Sequence, residues 1–427
     1  MLTTAAGLLF GLIAASVPIA AVIGCLALAL GLIYSPMPLH LAAGDIFWSN
    51  STDFVLIAVP LFILMGEILL RAGIAGRMYA ALSHWMSWLP GGLMHSNIGA
   101  CTLFAATSGS SIATAATVGT VALPQIARNG YNPRLFMGTL AAGGTLGILI
   151  PPSINMIVYA LLTDTSVPKL YLAGFLPGLM LAGLFMATIA GACILRPGWD
   201  GRRQRSSWAE RLRSLPDLLP PLGIFLVVVG SIYAGVATPT EAASLGVAAA
   251  LALAACTRSL TPGMLRLAIE ATMRTTAMVM LIVLAAMFLN FVLAVVGLTD
   301  LLSAFIGGLG LGPMQTMIAI VIAVMLLGCV MEALSLLLIA TPLLAPIVAG
   351  LGFDLVWFGI LMMLMLETAL ITPPIGVNLY VIQGVRKGGS VNDVILGALP
   401  FLAALLAMIA LLLAVPQIAL WLPGTAG

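Results

Sequence analysis

Charge is what this chain has least of. Only 7% of its 427 residues are Asp, Glu, Lys or Arg, while 62% are hydrophobic. Soluble domains are about half apolar and about a quarter charged, so composition excludes a soluble globule. The 16 Lys and Arg leave a formal net charge of +2 and punctuate the apolar runs. They form no basic stripe, so nothing in the charge points to nucleic acid, and no nucleic-acid partner is expected. The five cysteines, Cys25, Cys101, Cys193, Cys256 and Cys329, are scattered in apolar segments with no CxxC spacing, and they read as packing residues with no disulfide implied. "VIGC" at Cys25 superficially matches a lipoprotein cleavage site. No basic n-region precedes it and the apolar run continues to Tyr34, so it reads as a first transmembrane helix.

What is present is apolar length. Runs of about 18 or more apolar residues, enough to cross a ~30 Å hydrocarbon layer as helices, recur along the whole chain. The fold class is an all-α polytopic membrane protein. The predicted spans are 5–34 as one long helix, 54–70 ending at Arg71, 171–195, 218–236, 240–256, 275–297 and 394–421. Between them, 92–128 and 313–350 each read as two apolar arms around a polar tip, and 135–163 and 355–384 are spans interrupted by Pro-Pro. "GIAGRMYAALSHWMSWLPGG" and residues 299–311 read as amphipathic pieces in the interface plane. One long polar stretch, "RPGWDGRRQRSSWAERLRSLPD", splits the chain, and it reads as a connector between halves.

The halves are copies. Pro124 and Pro346, Gly130 and Gly352, Phe136 and Phe358, Pro151 and Pro373, and Pro152 and Pro374 all pair at a single offset of 222 residues. Placing the connector (196–217) in the cytoplasm puts 15 of the 16 basic residues inside, with Lys169 alone outside, as the positive-inside rule demands. The first two-armed segment then opens to the cytoplasm and the second to the outside, so the repeats are inverted. The N-terminus falls in the cytoplasm and the C-terminus outside. Charge parity does not separate a re-entrant hairpin from two full helices, since both return the chain to the same side. A polar tip favours re-entry, because irregular backbone at depth is tolerated only where it is buried or lines a cavity.

Each Pro-Pro pair removes two backbone donors and forces the preceding residue out of the helical region, so the helix breaks. A broken helix offers carbonyls to a cation at one half-end and amides to an anion at the other. The bland alternative is a proline kink, and duplication at matching positions argues for a site. Thr107, Ser108, Ser110, Ser111 and Thr114 surround Gly109 at the first tip. Hydroxyls and exposed carbonyls are hard ligands suited to Na⁺, although Ser111, Ala115 and Gly119 also make a small-residue packing stripe. Past the breaks stand Ser153 and Asn155, and Thr372, Gly376 and Asn378. Glu332 occupies the second tip opposite Ser110, and Glu367 lies six residues before Pro373. Intramembrane carboxylates cost on the order of 3 kcal/mol, so both are functional candidates. Glu67, with Arg71 at i+4, reads as a local ion pair. Enzyme chemistry is not expected, because His40 lies on the outer loop and His84 on the interfacial helix, leaving only His95 near the inner end of the first arm, and no GxSxG, HExxH or P-loop occurs.

These residues resemble the large membrane subunit (M subunit) of a TRAP transporter, the tripartite ATP-independent periplasmic class. "VPLFILMGEIL", "TSGSSIATAATVG", "GTLGILIPPS", "YLAGFLPGLM" and "ETALITPPIGVNLYVI" carry the resemblance, which spans essentially the whole chain. It implies an elevator-type ion transporter fold in which two re-entrant hairpins and two broken helices form a transport domain (91–165 and 312–388) moving against scaffold helices and interfacial arms (1–90 and 218–311). Residues 166–217 and 389–427 supply a span with the connector and a last span. The resemblance implies Na⁺-driven uptake of a small organic anion, usually a carboxylate, across the bacterial inner membrane. It also implies a periplasmic substrate-binding protein and a small four-helix membrane subunit, expected as a separate chain. Carried onto this sequence, the hairpin tips are 108–111 and 331–334. Candidate substrate-binding residues are Ser108, Ser110, Ser111, Ser153, Asn155, Glu332, Gly376 and Asn378. Candidate Na⁺ ligands are Ser108, Gly109, Ser110, Thr114, Pro151, Thr341, Thr372, Pro373 and Gly376. No cofactor is expected beyond Na⁺ as the coupling ion. The alternatives are a stand-alone Na⁺/dicarboxylate symporter without a binding protein and a passive channel.

Overall fold

The computed structural model describes every residue except 203–205, 387, 426 and 427. Arg203, Arg205 and Lys387, which entered the charge count, lie outside the described residues. Among the described residues the chain is helical with no strand. The first half opens with α1 (Leu2–Ala14) and α2 (Ile19–Tyr34), then α3 (Ala43–Ser51) and α4 (Ala58–Arg71). The expected single span over 5–34 is thus two helices. Pro18 has no amide to donate and disfavours helical φ/ψ at Val17, and Ser16 turns the chain with φ 58°. The segments carrying α3 and α4 meet at a 65° bend. Glu67 and Arg71 form the expected i,i+4 pair at 3.0 Å.

After α5 (Ile74–Met86) come the arms of the first hairpin, α6 (Leu93–Ser108) and α7 (Ser111–Ala122), the latter extended by α8 (Pro124–Asn129). The first broken helix is α9 (Pro133–Thr145) and α10 (Ile154–Thr163), followed by the 29-residue α11 (Val167–Leu195). The connector holds a short helix, α12 (Trp208–Ser214), started by a Ser207/Glu210 capping box. It docks on α5: Arg211 Nε donates to the His84 carbonyl at 3.2 Å, and His84 Nδ1 lies 2.9 Å from Ser206 Oγ.

The second half runs α13 (Leu219–Tyr233), α14 (Pro239–Cys256), α15 (Pro262–Val295) and α16 (Leu298–Gly308). The second hairpin is α17 (Pro313–Gly328) and α18 (Ala333–Gly350), and the second broken helix is α19 (Leu355–Ile371) and α20 (Val377–Arg386). The chain ends with α21 (Val391–Ala414) and α22 (Gln417–Thr425). Two expected boundaries move. Helix α15 starts well before 275 and has 34 residues, about 51 Å at ~1.5 Å per residue. Arg266 therefore sits on a helix, paired with Glu270 at 2.7 Å, in turns that extend beyond a ~30 Å hydrocarbon layer. The last span stops at Ala414 ahead of Pro416, and α22 packs on α11.

The repeat offset holds at atomic detail. Helices α7 and α18 begin at 111 and 333, and α9 and α19 at 133 and 355. The same register position caps each broken helix: Asn132 accepts from the Leu135 amide, and Asp354 from those of Val356 and Trp357. Gly130 and Gly352, each past a hairpin arm, take φ of 70° and 85°, conformations that favour glycine. Two packed groups result. Helices α2, α4, α14 and α15 pack together, and α6, α7, α9, α11 and α18–α21 form the other group. Within the second group, Phe185 of α11 and Phe401 of α21, both fully buried, meet edge to face at 5.6 Å. At one end Asp393 takes Arg134 at 2.9 Å and Arg386 at 3.4 Å. This cluster ties α21 to both repeats.

Helices α9 and α21 approach so closely that a Cβ on Gly138 would run into the Gly397 carbonyl, whereas one on Gly183 of α11 would meet nothing. Gly138→Val should therefore destabilise by about 1–3 kcal/mol or more and Gly183→Val by much less. Thermal unfolding of the detergent-solubilised protein checks this. Equal melting temperatures for the two variants would refute the close packing.

Candidate functional site

The first tip and the first break touch. Gly109 ends α6 with φ 60°, and a Cβ there would lie 2.7 Å from the carbonyl oxygen of Pro152. One turn earlier, a Cβ on Gly147 would meet the Ser111 amide at 2.9 Å. Ser111 Oγ donates to the Thr145 carbonyl at 3.3 Å. Ser108 Oγ stands 3.1 Å from Thr114 Oγ1, which donates to the Ser110 carbonyl at 2.7 Å. From behind, Gly66 of α4 lets the scaffold press on Ser108, with a hypothetical Cβ only 3.0 Å from its Cα. A hairpin tip seated against the middle of a broken helix lies at mid-depth, which makes the hairpin re-entrant and resolves what charge parity left open.

The second constellation repeats the plan. The Ile375 amide, just past Pro373-Pro374, donates to the Cys329 carbonyl near the second tip at 3.3 Å. Thr372 Oγ1 turns back to the Thr368 carbonyl at 2.6 Å. Gly376 takes φ 40° and caps the break where a Cβ would strike Leu379. Ser110 and Glu332, which look unlike, do the same structural job. Ser110 Oγ accepts from the Ala113 amide and Glu332 Oε2 from the Ser335 amide, so each is the N-cap of its second arm at the same register. The two breaks differ in exposure. Pro151, Pro152 and Ser153 are buried, while Pro374 and Ile375 are exposed.

Several candidates sit where a ligand could use them. Ser153 Oγ, Thr341 Oγ1 and Asn378 Oδ1 are buried with no hydrogen-bond partner, and such orphans call for an unplaced water, ion or ligand. Asn155, half-buried, follows Ser153 at the start of α10. Thr107 donates its hydroxyl to the Phe104 carbonyl within α6 at 2.9 Å, as Thr114 and Thr372 do within or next to their own helices. Thr341 lies along α18, more than two turns past the Glu332 cap.

Thr145 is a residue that sequence reasoning missed. Its hydroxyl, which donates to the Ala142 carbonyl within α9 at 2.8 Å, also lies 3.3 Å from Glu367 Oε2, and the two positions are 222 residues apart. They are therefore repeat mates that meet at the pseudo-two-fold axis. Two identical carboxylates facing each other there would repel, whereas a hydroxyl against a carboxyl makes a hydrogen bond. Glu367 is fully buried and its Oε1 has no partner. Asn378 also crosses between repeats, donating from Nδ2 to the Ala141 carbonyl at 3.1 Å. A network thus runs from the first tip (Ser111) through Thr145 to the second broken helix (Glu367). The signal that could have found it was the constant offset, applied to Glu367.

An inverted pair of re-entrant hairpins facing an inverted pair of broken helices, in an all-helical multi-pass membrane protein, defines the class: a transporter of the inverted-repeat type. The family model for the tripartite ATP-independent periplasmic transporter, DctM component, matches residues 6–418. The chain belongs to that family. It is 32% identical over 437 aligned residues to the C4-dicarboxylate TRAP transporter large permease protein DctM of Vibrio cholerae, covering 97% of this chain and 96% of that one. It is 34% identical to the ectoine/5-hydroxyectoine large permease UehC of Ruegeria pomeroyi, covering 86% and 85%. The isethionate permease DctMQ of Oleidesulfovibrio alaskensis is 31% identical, and there the match covers 96% of this chain but 64% of the relative. The Alcanivorax borkumensis YdaH transporter shares the fold, with a TM-score of 0.58 at 17% identity over 93% of this chain and 96% of that one.

If the axial contact organises both breaks, removing it should show. Glu367→Ala removes the hydrogen bond to Thr145 and empties a fully buried site, while the Thr145 hydroxyl keeps the Ala142 carbonyl, and should cost about 1–3 kcal/mol. Glu367→Gln keeps an acceptor for that hydroxyl and should recover most of the loss. Thermal stability in detergent is the measurement, and a Gln variant as unstable as Ala would contradict the hydrogen-bond account.

Proposed function

We propose that this large permease drives Na⁺-coupled uptake of a small organic anion, delivered by a periplasmic binding protein, with the hairpins and broken helices moving as one unit against the remaining helices. The observation that carries the reading is the duplicated tip-and-break constellation with buried, partnerless oxygens. At the first, Ser108, Gly109, Ser110, Thr114 and Pro151 bring hydroxyls and carbonyls together around the tip; at the second, Thr372, Pro373 and Gly376 offer a hydroxyl and carbonyls at the break, with Thr341 farther along α18. These are hard oxygen donors without thiolate or imidazole, the chemistry an alkali cation takes. The orphaned Ser153 Oγ fits an ion or substrate at the first break, and the orphaned Asn378 Oδ1 one at the second. Ser111, Asn155 and Glu332 complete the candidate substrate lining.

Na⁺ bound at a tip joins it to its break through shared oxygens, so ion occupancy orders the hairpins before substrate binds between them. Selection of the anion falls first to the binding protein. The relatives' names span C4-dicarboxylates, ectoine and isethionate on closely similar large permeases, which supports a transport unit that does not itself read the whole substrate. A separate small membrane subunit completes the assembly in the bacterial inner membrane, with the connector in the cytoplasm, the N-terminus in the cytoplasm and the C-terminus in the periplasm. The DctMQ name of the longer isethionate relative is compatible with that arrangement.

Reconstituted vesicles test the coupling. Uptake of the anion bound by the cognate binding protein should stop when K⁺ replaces Na⁺, and uptake that persists unchanged would sink the proposal. Ser110→Ala or Asn378→Ala should raise the half-saturating Na⁺ or substrate concentration about tenfold, the loss expected for one ligand to a charged group. Omitting the binding protein should abolish uptake. Accumulation without it would favour the stand-alone symporter, and unsaturable flux with no uphill accumulation a channel.

A further inference from the structure

One apolar cavity lies at the seam between the two packed groups, beside the second hairpin. It measures about 460 Å³ and is walled by α1, α2, α15, α16, α17 and α18, reaching Met331 at the second tip. Leu9, Leu30, Leu293, Phe305, Ile320 and Leu336 represent its six walls. Thr316 is the single polar side chain among the lining residues. Phe10, Phe305, Leu309 and Leu311 at its rim are exposed, so the cavity opens sideways off the protein into what is, for a chain of this class, the bilayer.

Three occupants can be weighed. Water needs two to four polar partners, and one threonine does not supply them. A helix of a partner subunit, about 10 Å across with its side chains, is the apolar competitor. Emptiness would forfeit dispersion contacts along every wall. A hydrocarbon chain, thinner than a helix and apolar throughout, satisfies size and chemistry together. The cavity is also continuous with a second one of about 210 Å³, since both are lined by Ile306, Leu311 and Thr316. The second adds Ser303, Gly307 and Gly350, a hydroxyl and small residues beside α16, the helix read as lying in the interface plane. An apolar chamber with a more polar mouth at headgroup level has the shape of an amphiphile. No lining residue of either cavity is charged, so the mouth selects no anionic headgroup.

We infer that one zwitterionic phospholipid inserts an acyl chain between α2/α15 and the second hairpin, with its headgroup end at Ser303 and Gly350. The site is independent of which ion or substrate the transporter uses. It places bilayer hydrocarbon against Met331, so a chain in the seam touches the hairpin that the proposed motion must carry.

Native mass spectrometry of protein purified in mild detergent tests this, together with photo-crosslinking in phosphatidylethanolamine nanodiscs doped with phosphatidylethanolamine bearing a diazirine at the end of one acyl chain. Wild type should retain one phospholipid and crosslink within 313–328 and 333–350. Ala319→Phe with Ala323→Phe, two cavity-facing positions on α17, should fill the chamber and lose both signals. Leu222→Phe, on the exposed surface of α13, should keep both. Wild type that retains no lipid, a double variant that retains it, or crosslinks spread evenly over outer helices would overturn the site. So would loss of the crosslinks on adding the small membrane subunit, which would assign the chamber to that partner. If the double variant fails gel filtration, the wild-type crosslink map decides alone.

Discussion

Everything unusual in this molecule follows from one constraint: within a bilayer, a backbone group that leaves a helix must find a partner in the protein. The two Pro-Pro breaks each free several carbonyls and amides, and the only place to satisfy them is against another irregular piece of backbone. The hairpin tips are that piece. Gly109 lets the first tip reach the Pro152 carbonyl, and Cys329 near the second tip receives the Ile375 amide. Neither element is viable alone, and both come duplicated because the same solution was copied and inverted.

The inversion then imposes its own geometry. Repeat mates meet only on the symmetry axis, where identical side chains face each other. Thr145 and Glu367 occupy that point and have diverged, exchanging a like-with-like clash for a hydrogen bond. Asn378 reaches across to Ala141 in the same region, and Asp393 ties Arg134 of one repeat to Arg386 of the other. Bonds at the centre and at one end therefore knit the two broken helices together, while the seam against α2 and α15 is lined by aliphatic side chains with few polar ties. The two repeats are thus stitched to each other at the axis and at one end.

Much of this was legible in the chain itself. The Pro-Pro pairs, the constant offset of 222 and the hydroxyls around Gly109 are local chemistry, and local chemistry survives in sequence. Boundaries governed by single prolines were harder, because hydropathy averages over them. Pro18 splits the first span and Pro416 ends the last, yet both stand in runs that are apolar on average. The start of α15 was missed for the opposite reason, since Arg266, Glu270 and Arg274 look like a loop until the helix is seen to outrun the hydrocarbon. Thr145 carried no signal of its own, being one threonine in a Gly-rich segment whose importance comes from what lies opposite.

The shared capping role of Ser110 and Glu332 has a consequence for how such a protein can change. An N-cap position needs only an oxygen that accepts from the amide three residues on, and it does not fix that oxygen's charge. The hairpin keeps its shape whether the cap is neutral or, when ionised, anionic. One elementary charge at ~4 Å, with an effective dielectric of ~20, alters the energy of a cation by about 4 kcal/mol. A single codon at either tip therefore acts as an electrostatic dial, set independently in each half of the chain, that leaves the architecture around it untouched.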